Sequence, residues 1–257
     1  LRAKLPDDVP WKLGKLKPVR EVPEVFWYYD EFVSIEAFQK SEAPLIFVIA
    51  GTGANAYSAN NLALMKAFYQ AGFHVAGITS PTHQNFVVSA STTAVPGDLR
   101  RDAEDLYRVM QGIRQNIPTK VKVSEYYLTG YSLGGIQAAF VSKLDEEQQA
   151  FNFSKVLLIN PPVSLYSSIG KLDRMLENVP GGMDNFNRFY DEMVHKVSDA
   201  YRKSDSVEFN EQLVYKAFKE DPPSDEELAA VIGFAFRLAS SNMVFTSDVM
   251  TNYGFIK

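Results

Sequence analysis

Residues 44–50 read Pro-Leu-Ile-Phe-Val-Ile-Ala, an apolar run that closes on Gly51-Thr52-Gly53. A strand with one wet face alternates apolar and polar residues, so an unbroken run implies burial on both faces. The segments that follow have the order such a strand needs. Residues 60–71 put Leu62, Met65, Phe68 and Tyr69 on one helical face and stop at Gly72. Residues 73–79 read as a strand, and 97–117 as a periodic helix with Leu99, Ala103, Leu106, Met110 and Ile113 inward. A strand at 121–129, a helix at 133–144 and a strand at 155–160 complete the series. This alternation predicts an α/β fold, a mostly parallel sheet with helices on both faces.

Both flanks depart from the alternation. Residues 24–30 (EVFWYYD) and 32–38 (FVSIEAF) are aromatic and β-branched and predict two antiparallel strands. Residues 1–20 mix Lys, Pro and Asp and predict an irregular arm. From Ser164 onward the pattern is helical: Met183, Phe186, Phe189 or Tyr190, Met193, Val197 and Tyr201 keep a helical period. An apolar segment at 228–239 follows Ser224-Asp-Glu-Glu, a helix start. The expected organisation is therefore a core at 1–163 and a helical cap or insertion at 164–257. The aromatics of that insertion, Phe209, Tyr215 and Phe234 among them, are expected to pack its helices, with a subset lining an apolar channel.

Composition narrows the chemistry. The 257 residues include no cysteine, which excludes disulfides, a thiolate metal site and a cysteine nucleophile. With 26 basic against 31 acidic residues and a net charge of -5, nucleic acid is not the expected partner. The run at 44–50, read as the longest apolar stretch, is too short to cross a bilayer, so no transmembrane segment is expected. No metal or cofactor is expected. Lack of cysteine is compatible with a periplasmic or secreted location, slightly favoured here over a cytoplasmic one.

Gly130-Tyr131-Ser132-Leu133-Gly134 fits the pattern G-x-S-x-G. At Gly and Ser frequencies of roughly 7% each, the bare pattern arises in about one chain in ten of this length. Its weight comes from its place between a predicted strand and a predicted helix, where a strained serine turn leaves no room for neighbouring side chains. Ser132 is the candidate nucleophile. The N–H of Leu133 is one candidate oxyanion donor and that of Thr52, in the turn after the buried strand, the other. The same turn fits the dinucleotide fingerprint G-x-G-x-x-[GA] over Gly51–Ala56, but the next strand ends Ile78-Thr79-Ser80-Pro81 without an acid for a ribose. Of the 3 histidines, His74 is expected to be packed within a strand, His195 to face solvent, and His83 to be placed where it can line a pocket. The acids and arginines at 98–105 are expected to form a solvated helix opening, with the acids near its positive pole.

Taken together, the GTG turn, the GYSLGG segment at 130–135 and the strand–helix order between them resemble the α/β-hydrolase superfamily over residues 22–163. The GTG turn resembles the oxyanion turn of certain lipases. The resemblance implies a lipase-like serine esterase acting on small-molecule esters with lipid-like or medium-chain acyl groups. It implies Gly53, Tyr131 and His83 around the substrate and a cap after the sixth strand. It also implies a triad in the order Ser, acid, His, the last two following a seventh and an eighth strand. No such strands and no histidine in that place are read here. The triad acid and base are thus expected outside this chain, in a C-terminal segment beyond Lys257. The alternatives are a hydrolase-fold binding protein without a complete triad and a dinucleotide-binding protein.

Overall fold

The run at 44–50 forms β3 (Ala43–Ile49) of the computed structural model, which describes residues 5, 8–177, 179–203, 211–219 and 222–254. Phe209 and residues 255–257 lie outside the described residues. Side chains of β3 serve two cores: Leu45, Phe47 and Ile49 join one, Ile46 and Val48 the other. None of the five is more than 3% exposed. At about 1.5–3 kcal/mol per buried large apolar side chain, burial of this one strand contributes on the order of 10 kcal/mol.

The remaining strands are β1 (Lys12–Leu16), β2 (Phe32–Ala37), β4 (His74–Ile78), β5 (Val123–Tyr131) and β6 (Lys155–Ile159). They form one sheet in the order β1-β2-β4-β3-β5-β6. The pairs β1/β2 and β2/β4 are antiparallel, and β4/β3, β3/β5 and β5/β6 are parallel. Helix α1 (Ala59–Gln70) covers one face through Met65. On the other face, α3 (Leu99–Asn116) contributes Leu106, Met110 and Ile113, and α4 (Leu133–Gln148) contributes Ala138 and Val141. The α/β class and the covered parallel strands are as the sequence predicts.

Two N-terminal expectations are corrected. Residues 24–29 form a 3₁₀ helix, not a strand. Phe26 and Tyr29 stand three residues apart, which is one 3₁₀ turn, and both bury against Val88, while Trp27 between them is exposed. Aromatic content suits a strand, but here the tertiary contact overrides that preference. The arm, expected to be irregular, contains β1. Its Lys-Leu-Gly-Lys-Leu has weak strand preference, and its lysines suit a sheet edge open to water. A short helix α2 (Gln84–Ser89) also follows β4, with no matching expectation.

Of the described residues, those up to 162 together with 243–254 form one compact unit and those from 163 to 242 another. The second contains α5 (Leu165–Met175), α6 (Phe186–Arg202), α7 (Glu211–Phe218) and the first part of α8 (Asp225–Thr251). Phe189, Met193, Val197, Phe218 and Phe234 form its core, whereas Tyr190 and Tyr215 are exposed. Ser224 and Glu227 close a reciprocal capping box at the start of α8. Residues 243–254, expected in the insertion, group with the sheet unit. There Val249 and Met250 pack on Phe26, Tyr29 and Val88.

The expectation about apolar stretches is also revised. Glu227–Thr251, with a mean hydropathy of 1.6 in its most apolar part, is long and apolar enough to cross a membrane by length and composition alone. Its apolar residues are interspersed with Ser, Asn and Thr, which hides the stretch from a search for unbroken runs. Ala230, Val231 and Phe234 pack in the core of the helical unit, and Val249 and Met250 in the sheet unit.

Phe47 is fully buried and meets the ring of Phe151 edge-on at 5.3 Å. Phe47→Ala is expected to lower unfolding stability by about 3–5 kcal/mol, against less than about 1 kcal/mol for Leu13→Ala on the edge strand. Urea denaturation of the two variants checks the ratio.

Candidate active site

Ser132 joins β5 to α4 with φ 53 and ψ -126, a left-handed conformation that disfavours any residue with a Cβ. Its N–H donates to Ile159 O of β6 at 2.9 Å, and its carbonyl accepts from Gly135 N–H at 3.0 Å, so the turn is pinned on both sides. A Cβ on Gly130 would overlap the carbonyl of Gly134, and a Cβ on Gly134 would overlap the carbonyl of Ile49. Glycine at these two places lets the helix start press directly on the sheet backbone. A serine before a helix ordinarily caps it, accepting a backbone N–H from the first turn. Ser132 makes no such bond, and its hydroxyl has no hydrogen-bond partner among the described residues.

The GTG turn lies at the same edge of the sheet. Ile49 pairs with Gly130 in the β3/β5 register, so the chain leaves both strands side by side. The ring of Tyr131 covers Gly51, where a Cβ would stand 3.0 Å from two ring carbons. Tyr131 was expected beside the substrate, and the structure places it against this turn. Thr52 is exposed and Gly53 has φ 65. Among the described residues, neither Thr52 N–H nor Leu133 N–H has an acceptor. Leu133 is the first residue of α4, where a helix leaves its N–H groups unpaired and its dipole positive. Among the described residues, this edge of the sheet thus carries a hydroxyl and two backbone donors without partners.

The amides of Gly53, Ala54, Ala56, Tyr57 and Ser58 in the same segment are occupied. Gly53 N–H donates to Thr82 Oγ1 at 2.8 Å, Ala54 N–H to Gly51 O at 3.1 Å and Ala56 N–H to Thr79 Oγ1 at 3.0 Å. Tyr57 and Ser58 donate to the side chain and the carbonyl of Asn55. A dinucleotide site would need such amides for a pyrophosphate. Their internal use weighs against that alternative. Sequence reasoning gave Thr79, Ser80 and Thr82 no role, although hydroxyls clustered at a strand end beside a glycine turn were a usable signal.

Two of the three histidines are held in hydrogen bonds and the third is exposed. His74, fully buried at the start of β4, accepts from Gln39 N–H at Nδ1 and meets Lys122 O at Nε2, both at 2.9 Å. This is the packed role expected. His83 caps α2, with Nδ1 accepting from Asn85 N–H at 3.1 Å and its ring edge-on to Tyr29. His195 is exposed on α6, as expected. Among the described residues, no group of three or more His, Asp or Glu could hold a metal ion.

The charged opening of α3 departs from the solvated face expected. Asp98 caps the helix through Arg100 and Arg101 N–H, but Asp102 and Asp105 are 2% and 1% exposed. Asp102 accepts from Gly97 N–H at 3.0 Å, and Asp105 from Thr92 N–H at 2.8 Å and from the Thr92 hydroxyl at 2.9 Å. The loop before the helix folds back onto these two acids and removes them from water. Burial pushes the Asp102 carboxyl up to about 7. The Gly97 bond opposes the rise, and the charges of Asp105 and Asp98 add to it.

No family model matches the chain, and no curated protein matches it. Solved structures similar to it include an esterase of Pyrococcus furiosus, at 11% identity over 70% of this chain and 59% of that one, with a TM-score of 0.49. Est1E from Butyrivibrio proteoclasticus is similar at 11% identity over 62% and 55%, with a TM-score of 0.43. The α/β hydrolase GrgF from Penicillium sp. sh18 is similar at 13% over 66% and 52%, with a TM-score of 0.47. The fold is α/β, a mixed six-stranded sheet with helices on both faces. The chain spans less than two thirds of the length of each of these solved hydrolases.

A carboxyl whose folded pKa is raised contributes stability below its unfolded value of 3.8 that is lost as pH rises through about 7. Asp102→Asn keeps an acceptor for Gly97 and removes the titration. Its stability relative to the parent is expected to rise by up to about 4 kcal/mol between pH 4 and pH 8. Denaturation series across that range check the sign.

Proposed function

We propose that the protein is a serine hydrolase of carboxylic esters that works through an acyl-enzyme on Ser132. The observation that carries this reading is the strained Ser132, whose hydroxyl is free because its backbone forbids the usual cap. A strain of about 1–3 kcal/mol persists only where the surroundings enforce it, and it is concentrated at sites that use it. In the proposed reaction Ser132 Oγ attacks the ester carbonyl carbon and its proton passes to a base. The oxyanion accepts from Leu133 N–H and Thr52 N–H, each donor lowering the barrier by about 3–4 kcal/mol when placed correctly. The C–O bond to the alcohol breaks as the base returns the proton to the leaving oxygen. Water then attacks the acyl-enzyme by the reverse roles and releases the acid.

The base and its carboxylate partner are assigned to residues other than the three histidines of this chain, because His74 and His83 are engaged in hydrogen bonds and His195 is exposed on a helix of the other unit. The helical unit after β6 is assigned the role of a cap. Its apolar content favours esters with lipid-like or medium-chain acyl groups. A non-catalytic binding protein on the same fold is the second reading, favoured by the same placement of the histidines.

The gene product carrying these residues is expected to hydrolyse p-nitrophenyl esters and to be labelled at Ser132 by a fluorophosphonate, with a P–O bond replacing P–F. Ser132→Ala is expected to abolish both. Peptide mapping by mass spectrometry checks the site, and a folded protein that takes no label sinks the catalytic reading in favour of the binding one.

A further inference from the structure

The turn presenting the Thr52 N–H is held by polar groups that the proposed reaction does not use. A trans peptide directs its C=O and N–H to opposite sides. Gly51 O accepts from Ala54 N–H at 3.1 Å, inside the turn, so the Thr52 N–H of the same peptide points away from it. The next peptide is held at its nitrogen, where Gly53 N–H donates to Thr82 Oγ1 at 2.8 Å. Thr82 is buried, and its Oγ1 lies 2.9 Å from the hydroxyl of Ser80, which has no exposed surface. Ser80 N–H in turn donates to Ala54 O at 3.0 Å. Two residues just past the end of β4 thus grip both Gly53 and Ala54, while the Tyr131 ring closes the turn over Gly51. Gly53 needs such a grip, because a glycine at φ 65 has a wide range of alternative conformations open to it.

The geometry points to Thr82 as a positioning residue for the Thr52 N–H: its side-chain oxygen, oriented by Ser80, locks the Thr52–Gly53 peptide and so fixes the direction of the donor before it. This inference rests on the reading of Ser132 as an acyl-enzyme nucleophile, which gives that N–H an oxyanion to hold. Thr82 touches no reacting atom. Its effect falls on bond formation and leaves reversible binding alone, because the donor bond matters most when negative charge develops on the oxygen.

Thr82→Val keeps the shape and removes the oxygen, and Thr82→Ser keeps the oxygen. Labelling of Ser132 by a fluorophosphonate, followed over a range of reagent concentration, separates reversible binding from bond formation. Thr82→Val is expected to slow bond formation about 10- to 100-fold with reversible binding unchanged, and Thr82→Ser to restore the rate to within about threefold. A second readout does not depend on chemistry. In ¹H–¹⁵N spectra the Gly53 and Thr52 amide signals are expected to shift or broaden in Thr82→Val and to return in Thr82→Ser. Unmoved amide signals, or moved signals with a parental labelling rate, overturn the role of Thr82 and leave the nucleophile standing. Absence of label in the parent protein as well as the variants overturns the nucleophile reading, and the inference with it.

Discussion

The site depends on one backbone contact, the approach of the α4 N-terminus to the carbonyls of Ile49 and Ala50 at the end of β3. That approach is possible only because Gly134 has no side chain there, and Gly130 has none beneath the carbonyl of Gly134. With helix and strand this close, the chain between them must reverse within one residue, and Ser132 takes the positive φ. The consequences follow in order. The serine does not cap its own helix, and among the described residues neither its hydroxyl nor the first amide of α4 has a partner. Strain at Ser132 accounts for its own unpartnered hydroxyl, while the open amide of Thr52 is set by the turn around it. The surrounding sheet bears its cost: β3 is fully buried on both faces and β6 holds the Ser132 N–H.

A second economy of polar groups runs through the loops around this edge. Thr79, Ser80 and Thr82 use hydroxyls to satisfy amides of the 51–56 segment, so the turn does not need water or ligand to hold its form. Asp102 and Asp105 do the same for the loop before α3, and at Asp102 the electrostatic cost is higher because its carboxylate gives up solvent. The contrast has a physical basis. A buried hydroxyl loses little when paired, whereas a buried charge next to like charges is pushed toward its neutral form.

Much of the sheet unit was legible in the sequence because its signals were redundant. β3 announced itself by an unbroken apolar run ending at glycines, and α3 by its period. The serine turn was marked by paired glycines at a strand–helix junction. The failures came where one signal stood alone. Aromatic residues at 24–29 suggested a strand, but Phe26 and Tyr29 found burial one 3₁₀ turn apart. Charges at 98–105 suggested a wet helix face, but the loop that buries Asp102 and Asp105 is not deducible from helical spacing. β1 has little intrinsic preference and exists because β2 offers it a ladder. In each case a long-range contact supplied what the local pattern lacked.

The sequence by itself determined which strands are buried on both faces and which serine sits on a glycine-packed turn. Both are local properties: a run of apolar side chains has only one environment that suits it, and a positive φ beside close-packed backbone tolerates only certain neighbours. Only the tertiary structure decided which amides remain free and which are occupied. The difference between the open N–H of Thr52 and the occupied N–H of Gly53 lies in the hydroxyl of Thr82 on a different strand end. Hydrogen bonds are settled by atoms within about 3 Å, and residues far apart along the chain come that close only when the chain has folded.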